Sequence, residues 1–278
     1  MLISVVNHTK DLKDEDIHFA VRAINRQIAE DFAPYWHMSA MLRLEGRAGK
    51  EPDPKTLAEL RGDAVLYVWD GEDGDDALGY HEQTRLGIPY GFVFTKLAKE
   101  LDESWTATLS HEALELLADP DANLLVQGPH PHDKKKVVFH WFEMCDAVQD
   151  EGYEVDGIQL SNFVLPLYFT STQETGSRND YLGRLHGGRA LRSFGINPGG
   201  YIGFFDPAKQ DHETVSLDGD KKAALRLAKK AAFKRGRRGM RYRTGPDLAK
   251  RREPPVERKV QVLKHSGHAE AQAERRGT

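Results

Sequence analysis

His111, Glu112 and Glu115 fall within one short stretch, WTATLSHEALELLADP from Trp105 to Pro120, whose periodicity is that of a helix. Side chains at i and i+4 rise from the same helix face one turn apart, so His111 and Glu115 can reach a single ion. Glu112 stands beside that ion rather than on it, where a carboxylate can take a proton from a metal-bound water. At about 100° per residue, Leu109, Ala113, Leu116 and Leu117 gather on one side of the helix, with Thr108, His111, Glu112, Glu115 and Asp119 opposite. A polar face is by default a solvated one. Two features of the surrounding chain weigh against that here: an acidic Glu143-x-x-Asp146 segment downstream, and the order of the elements before the helix. Asp119 sits where the helix should end, before Pro120. A negative charge there opposes the helix dipole, so a partner for it is expected.

The elements that must position these residues begin with a β-branched run, Leu2 to His8, read as a strand. Asp14 to Asp16 offer first-turn acids to a helix whose apolar residues Ile17, Ala20, Val21, Ile24 and Ile28 mark one buried face. Tyr35 to Leu44 and Ala64 to Asp70 read as the next strands, and Ile88 to Thr95 as a fourth. The internal Pro89 and Gly91 favour an edge position for that fourth strand, because proline cannot donate to a ladder. The acidic, glycine-rich stretch Gly71 to Asp76 reads as a loop, as does Gln127 to Lys136. Val137 to Val148, Tyr153 to Ile158 and Leu160 to Thr170 follow as ordered pieces, and 171–205 as loops with short strands.

The metal-helix string resembles the His-Glu-x-x-His motif of zinc peptidases, with Glu115 where the second histidine would stand. A carboxylate there makes the site harder and more anionic, suiting zinc or another divalent metal. The zincin resemblance implies a third ligand downstream. Glu143 matches one large branch, with Asp146 or Asp119 orienting a ligand; Asp121 matches the offset of another branch. It also implies an active-site helix lying under an edge strand that binds extended peptide, a function for Ile88 to Thr95. The wider pattern, SHEALELLADPDAN, EMCDAV and YEVDGIQLSNFVLPLYF over about residues 85 to 170, resembles plant EXORDIUM-type (phosphate-induced) proteins and related bacterial and phage proteins.

Other candidates read as structural. His81-Glu82 repeats the His-Glu pair, but Arg85 stands where a helical ligand would follow, and His130 and His132 lie in an expected loop. Cys145, the single cysteine, cannot form an internal disulfide and reads as a buried thiol near the site. Gly183, Gly187, Gly188 and Gly195 match no phosphate-binding fingerprint.

The formal charge of -4 hides a division. Lys221 to Thr278 holds 19 Lys and Arg against 5 Asp and Glu, leaving 20 against 38 for residues 1–220. The basic segment reads as a helix over Ala223 to Phe233, then a polar stretch from Arg251 with too little apolar surface to order. Residues 221–250 are suited to nucleic acid or an acidic partner, or to folding back on the acidic body. With no leader and no apolar run of membrane-spanning length, a cytoplasmic protein is expected.

The sequence thus describes an α+β, zincin-like domain with a mixed sheet over residues 1–205 and a basic, partly disordered extension over 206–278. The expected activity is metal-dependent hydrolysis of a peptide or amide bond, with Glu112 activating water and His111, Glu115 and Glu143 holding the metal. Two alternatives are a non-catalytic metal-stabilised binding module, and a nucleic-acid-associated or phage structural protein acting through its tail.

Overall fold

The computed structural model describes residues 1–47, 62–71, 78–83, 88–170 and 177–224. It is an α+β fold. A five-stranded sheet comprises β1 (Leu2–His8), β2 (Met41–Arg47), β3 (Ala64–Trp69), β4 (Gly79–Gln83) and β5 (Pro89–Phe94), in the order β2-β1-β3-β5-β4. The first four strands in that order are parallel, and β4 runs antiparallel to β5 at the edge. Between β1 and β2 the chain forms α1 (Asp14–Arg26), a π-helical segment Gln27–Phe32 and the short α2 (Ala33–Trp36).

The expected face of α1 is buried: Ile17, Ala20, Val21, Ile24 and Ile28 join Ile3, Val5, Leu66 and Val68 of the sheet in one core. At its start, the Asp16 carboxylate accepts from the Lys13 backbone N–H at 2.9 Å, filling one of the donors a helix start leaves unmet. The strand expected from Tyr35 instead starts at Met41. Tyr35 and Trp36 belong to α2, which ends at His37 in the left-handed region (φ 54°).

The edge assignment for Ile88 to Thr95 is overturned. β5 lies between β3 and β4 and is buried along its length. Pro89 is tolerated there because it is the first residue of the strand, paired with Gln83. Among the described residues the edge on that side of the sheet is β4, which has no apolar run to announce it.

After α3 (Thr95–Glu100) comes α4 (Trp105–Ala118), capped by Ser104, whose Oγ accepts from Ala107 N at 3.4 Å, and ending at Asp119. It packs against β3, β4 and β5 on one side and against a second hairpin on the other. That hairpin joins β8 (Gly152–Val155) to β9 (Ile158–Ser161) through Asp156 and Gly157, both at positive φ, as a two-residue turn of this twist requires.

The stretch Gln127 to Lys136, expected as a loop, is a hairpin. β6 (Leu125–His130) and β7 (Asp133–Trp141) form a four-stranded sheet with β10 (Tyr201–Asp206) and β11 (Asp211–Ser216), ordered β11-β10-β7-β6. The division expected near residue 205 falls inside β10, and β11 continues the sheet through Ser216. Most of the acidic loop 71–76, most of the basic helix expected over 223–233 and all of 251–278 lie outside the described residues.

Candidate metal centre

Every residue of α4 from Leu109 to Ala118 is buried, polar face included. The solvated-face reading therefore fails: His111, Glu112 and Glu115 are each at most 6% exposed. The cover is β4. Its alternation turns Tyr80 and Glu82 outward, where they meet Phe92 and Tyr90, while His81 is buried toward the helix. Nearby, Gly79 lets the strand come close, since a Cβ on it would stand 2.7 Å from Glu112 Oε1.

His81 Nδ1 lies 3.5 Å from Glu112 Oε2 and 3.8 Å from Glu115 Oε2. From the other side, His111 Nε2 lies 3.2 Å from the same Glu115 oxygen and 3.4 Å from Asp146 Oδ1. Glu115 Oε1 accepts from the Cys145 backbone N–H at 3.1 Å, which fixes its carboxylate between the two imidazoles. The segment that delivers Cys145 and Asp146 is held by a short 3-10 turn, Asp146–Val148.

Burial opposes a charge on His111, but Glu115 and Asp146 outweigh it and raise its pKa well above the ordinary value. For His81 burial is likewise outweighed, here by Glu112, Glu143 and Glu115, which bring its pKa up to about 9. Burial, aided by the charges of Glu143 and Asp146, pushes Glu115 up to about 8 against the pull of His111. Burial also drives the Cys145 thiol well above its usual range. These carboxylates crowd a dry site and depend on cations for balance.

Two groupings of buried donors could hold a metal ion: His111, Glu115 and Cys145, and His81, Glu115 and Glu143, with ligand atoms inside each grouping within 4.8 Å of one another. The expected trio of His111, Glu115 and Glu143 is divided between them. The donor chemistry fits a divalent cation, since imidazole, carboxylate and thiolate are all zinc ligands. A further fit is Glu112 Oε2, which is buried and accepts no hydrogen bond.

Asp119 sits at the helix end, 4% exposed. Its Oδ2 accepts from Leu124 N at 2.8 Å, the expected partner beyond the helix, and its Oδ1 accepts none. Asp121 is exposed, and its carboxylate accepts from Gln83 Nε2 at 2.8 Å, on the rim of the cluster. His130 and His132 lie at the tip of the β6–β7 hairpin, with His130 packed on Phe204 at 5.3 Å.

His81 is the residue that sequence reasoning passed over. GYHEQ carries no apolar alternation, so nothing local marks its histidine as buried. Beside Glu143 and Asp146 lies a small cleft whose wall includes Trp141, Tyr168, Phe169 and Ile202. The chain matches no protein family, no curated protein and no solved structure.

Proposed function

We propose that this protein is a metal-dependent hydrolase of peptide or amide bonds, zincin-like in the relation of α4 to its edge strand. The observation that carries the reading is the buried polar face of α4: a carboxylate with an oxygen left without a hydrogen bond, Glu112, set against an imidazole–carboxylate cluster centred on Glu115. Burial of a carboxylate oxygen without a hydrogen bond costs stability, so a fold that keeps one in place retains it for chemistry. A divalent ion bound here supplies Lewis acidity, acidifying water and stabilising a developing oxyanion.

Glu115 and His111 hold that ion, with Glu143 reaching Glu115 from the side of His81. Glu112 accepts a proton at Oε2 and returns it to the leaving nitrogen. Asp146 Oδ1, 3.4 Å from the same His111 Nε2, stands on the ion's side of that ring and adds negative charge beside the ion. β4 ends the sheet among the described residues, and its outer edge accommodates an extended substrate by strand addition.

Elemental analysis of the purified full chain, beside a peptide-library cleavage assay, tests the reading. The wild type should carry zinc or another divalent ion and cleave peptides; Glu112→Gln should keep the ion and lose at least 100-fold in rate. Glu115→Ala should lose the ion. A metal-free wild type after zinc supplementation would overturn the reading, as would a Glu112→Gln variant of unchanged activity.

A further inference from the structure

The two donor groupings share one residue, and that sharing has a consequence for how many ions the centre takes. Among the described residues, no grouping combines the two imidazoles: His111 belongs to one and His81 to the other. Zinc–ligand bonds are about 2.0 to 2.3 Å long, so donors to one ion lie within about 4.5 Å of each other. Two imidazoles that fall in no common grouping at 4.8 Å do not close on one ion as placed. Glu115 Oε2 nevertheless stands close to both, 3.2 Å from His111 Nε2 and 3.8 Å from His81 Nδ1. A carboxylate between two separate nitrogen donors is the arrangement of a bridging ligand.

We propose that the centre binds two divalent cations bridged by Glu115. One is held by His111 and Glu115 with Cys145 beside them, the other by His81, Glu115 and Glu143. The inference rests on the metal-dependent reading above and goes beyond it in ion number.

Charge supports it independently. Glu112, Glu115, Asp119, Glu143 and Asp146 gather around His81 and His111. Each dication offsets two carboxylate charges, so two dications suit a site this rich in carboxylates. The buried Glu112 Oε2, without a hydrogen bond, lies 3.5 Å from His81 Nδ1, on the side of the second ion. The architecture also separates the two positions. The first is made by α4 and the 142–148 segment alone, whereas the second needs β4 laid across them. Co-catalytic ions of this kind sit about 3.5 to 4 Å apart and clamp the attacking and leaving atoms from both sides.

The test is titration of the metal-free full chain with Mn²⁺, followed by calorimetry and by electron paramagnetic resonance. The wild type should take two ions per chain and give an exchange-coupled spectrum. His81→Ala and Glu143→Gln should each take one ion and give an uncoupled six-line signal. Retained circular dichroism and a melting temperature within a few degrees of wild type would show that these variants are folded. A conservative third variant, His81→Gln, guards against loss of packing and should behave like His81→Ala. One ion per wild-type chain at saturation, with an uncoupled spectrum, would overturn the two-ion proposal and leave the hydrolase reading standing. No bound ion would overturn both.

Discussion

Gly79 shows how narrow the tolerances of this centre are. Its hydrogen stands where any other residue would put a methyl group 2.7 Å from Glu112 Oε1 and 2.8 Å from the Phe92 carbonyl oxygen, and backbone cannot yield as a side-chain tip can. Gly79→Ala should therefore push either Glu112 or the β4 edge aside. The expected result is a loss of about 1 to 3 kcal/mol in urea-unfolding stability, in the range of overpacked sites. Metal content at the His111 side should be retained, with hydrolysis falling as far as in Glu112→Gln. An alanine variant with wild-type rate would show that Glu112 does not need its present position. A second residue-scale effect lies away from the metal. His140 is 2% exposed, packs on Phe194 at 4.6 Å and donates from Nε2 to the Pro129 carbonyl at 2.9 Å. Burial lowers its pKa to about 4. The unfolded chain takes up that proton near pH 6.5, so between pH 6.5 and 4 it binds more protons than the folded chain. The contribution of His140 to stability is thus complete above pH 6.5 and is lost as pH falls toward 4, by up to about 3 kcal/mol. Urea midpoints of wild type and His140→Gln across pH 4 to 7 check this. The variant should show the shallower fall, and parallel curves would refute it.

At the scale of elements, α4 was legible because its period, its stop and its face are written locally: the helical spacing begins at Trp105, Asp119-Pro120 closes it, and His111, Glu112 and Glu115 share one side. β4 was not legible, because GYHEQ carries its buried residue as a histidine, and only α4, distant in sequence, makes that burial favourable. The same holds for the 177–200 region. Its loops are organised by a buried network in which Asn162 Nδ2 donates to Glu151 and Asp180, and Asn197 Nδ2 to Glu151, with no local pattern to reveal it. The π-helical turn after α1 is another feature set by tertiary partners. It begins at Gln27, which is fully buried: its Nε2 donates to the Ser161 carbonyl at 2.9 Å, and its Oε1 accepts from Ser110 Oγ at 2.7 Å. Ser110 precedes His111, and its Oγ in turn accepts from Ser161 N. One glutamine thus ties α1, α4 and β9 together just behind the metal helix. Gln27→Met keeps the volume but strands the Ser110 hydroxyl and the Ser161 carbonyl. An unsatisfied buried group costs about 1 to 3 kcal/mol, so a loss of about 2 to 5 kcal/mol in chemical denaturation is expected. A loss under about 0.5 kcal/mol would mean the network contributes no fixation to α4.

For the molecule as a whole, the charge division near residue 220 was visible in composition, but where the folded body ends was not. A boundary near 205 followed from the drop in apolar content, yet β11 extends the second sheet through residues that are mostly half-buried and polar, a pattern composition cannot separate from a linker. The chain then turns back. Asp220 accepts from Gly199 N at 2.5 Å and from Ala223 N at 2.9 Å, and the Lys222 ammonium meets the carboxylates of Asp150 and, at 3.3 Å, Glu103. The first residues of the basic segment are therefore seated on the acidic body through its own charges. Exposed pairs of this kind contribute little each, so the seat should depend more on Ala223, which is completely buried, than on Lys222. Placing a carboxylate at residue 223 buries a charge among apolar contacts, whereas the same change at Ala224, which is exposed, meets water. Ala223→Asp should lower the melting temperature by about 4 to 10 °C, the equivalent of about 2 to 3 kcal/mol in a body of this size, and Ala224→Asp by less than about 2 °C. Metal content should stay unchanged in both, because the bonds of the seat run to Gly199, Asp150 and Glu103 rather than to the metal-centre carboxylates. Equal small shifts in the two variants would place the end of the folded body before residue 220 and return the segment after β11 to the basic tail.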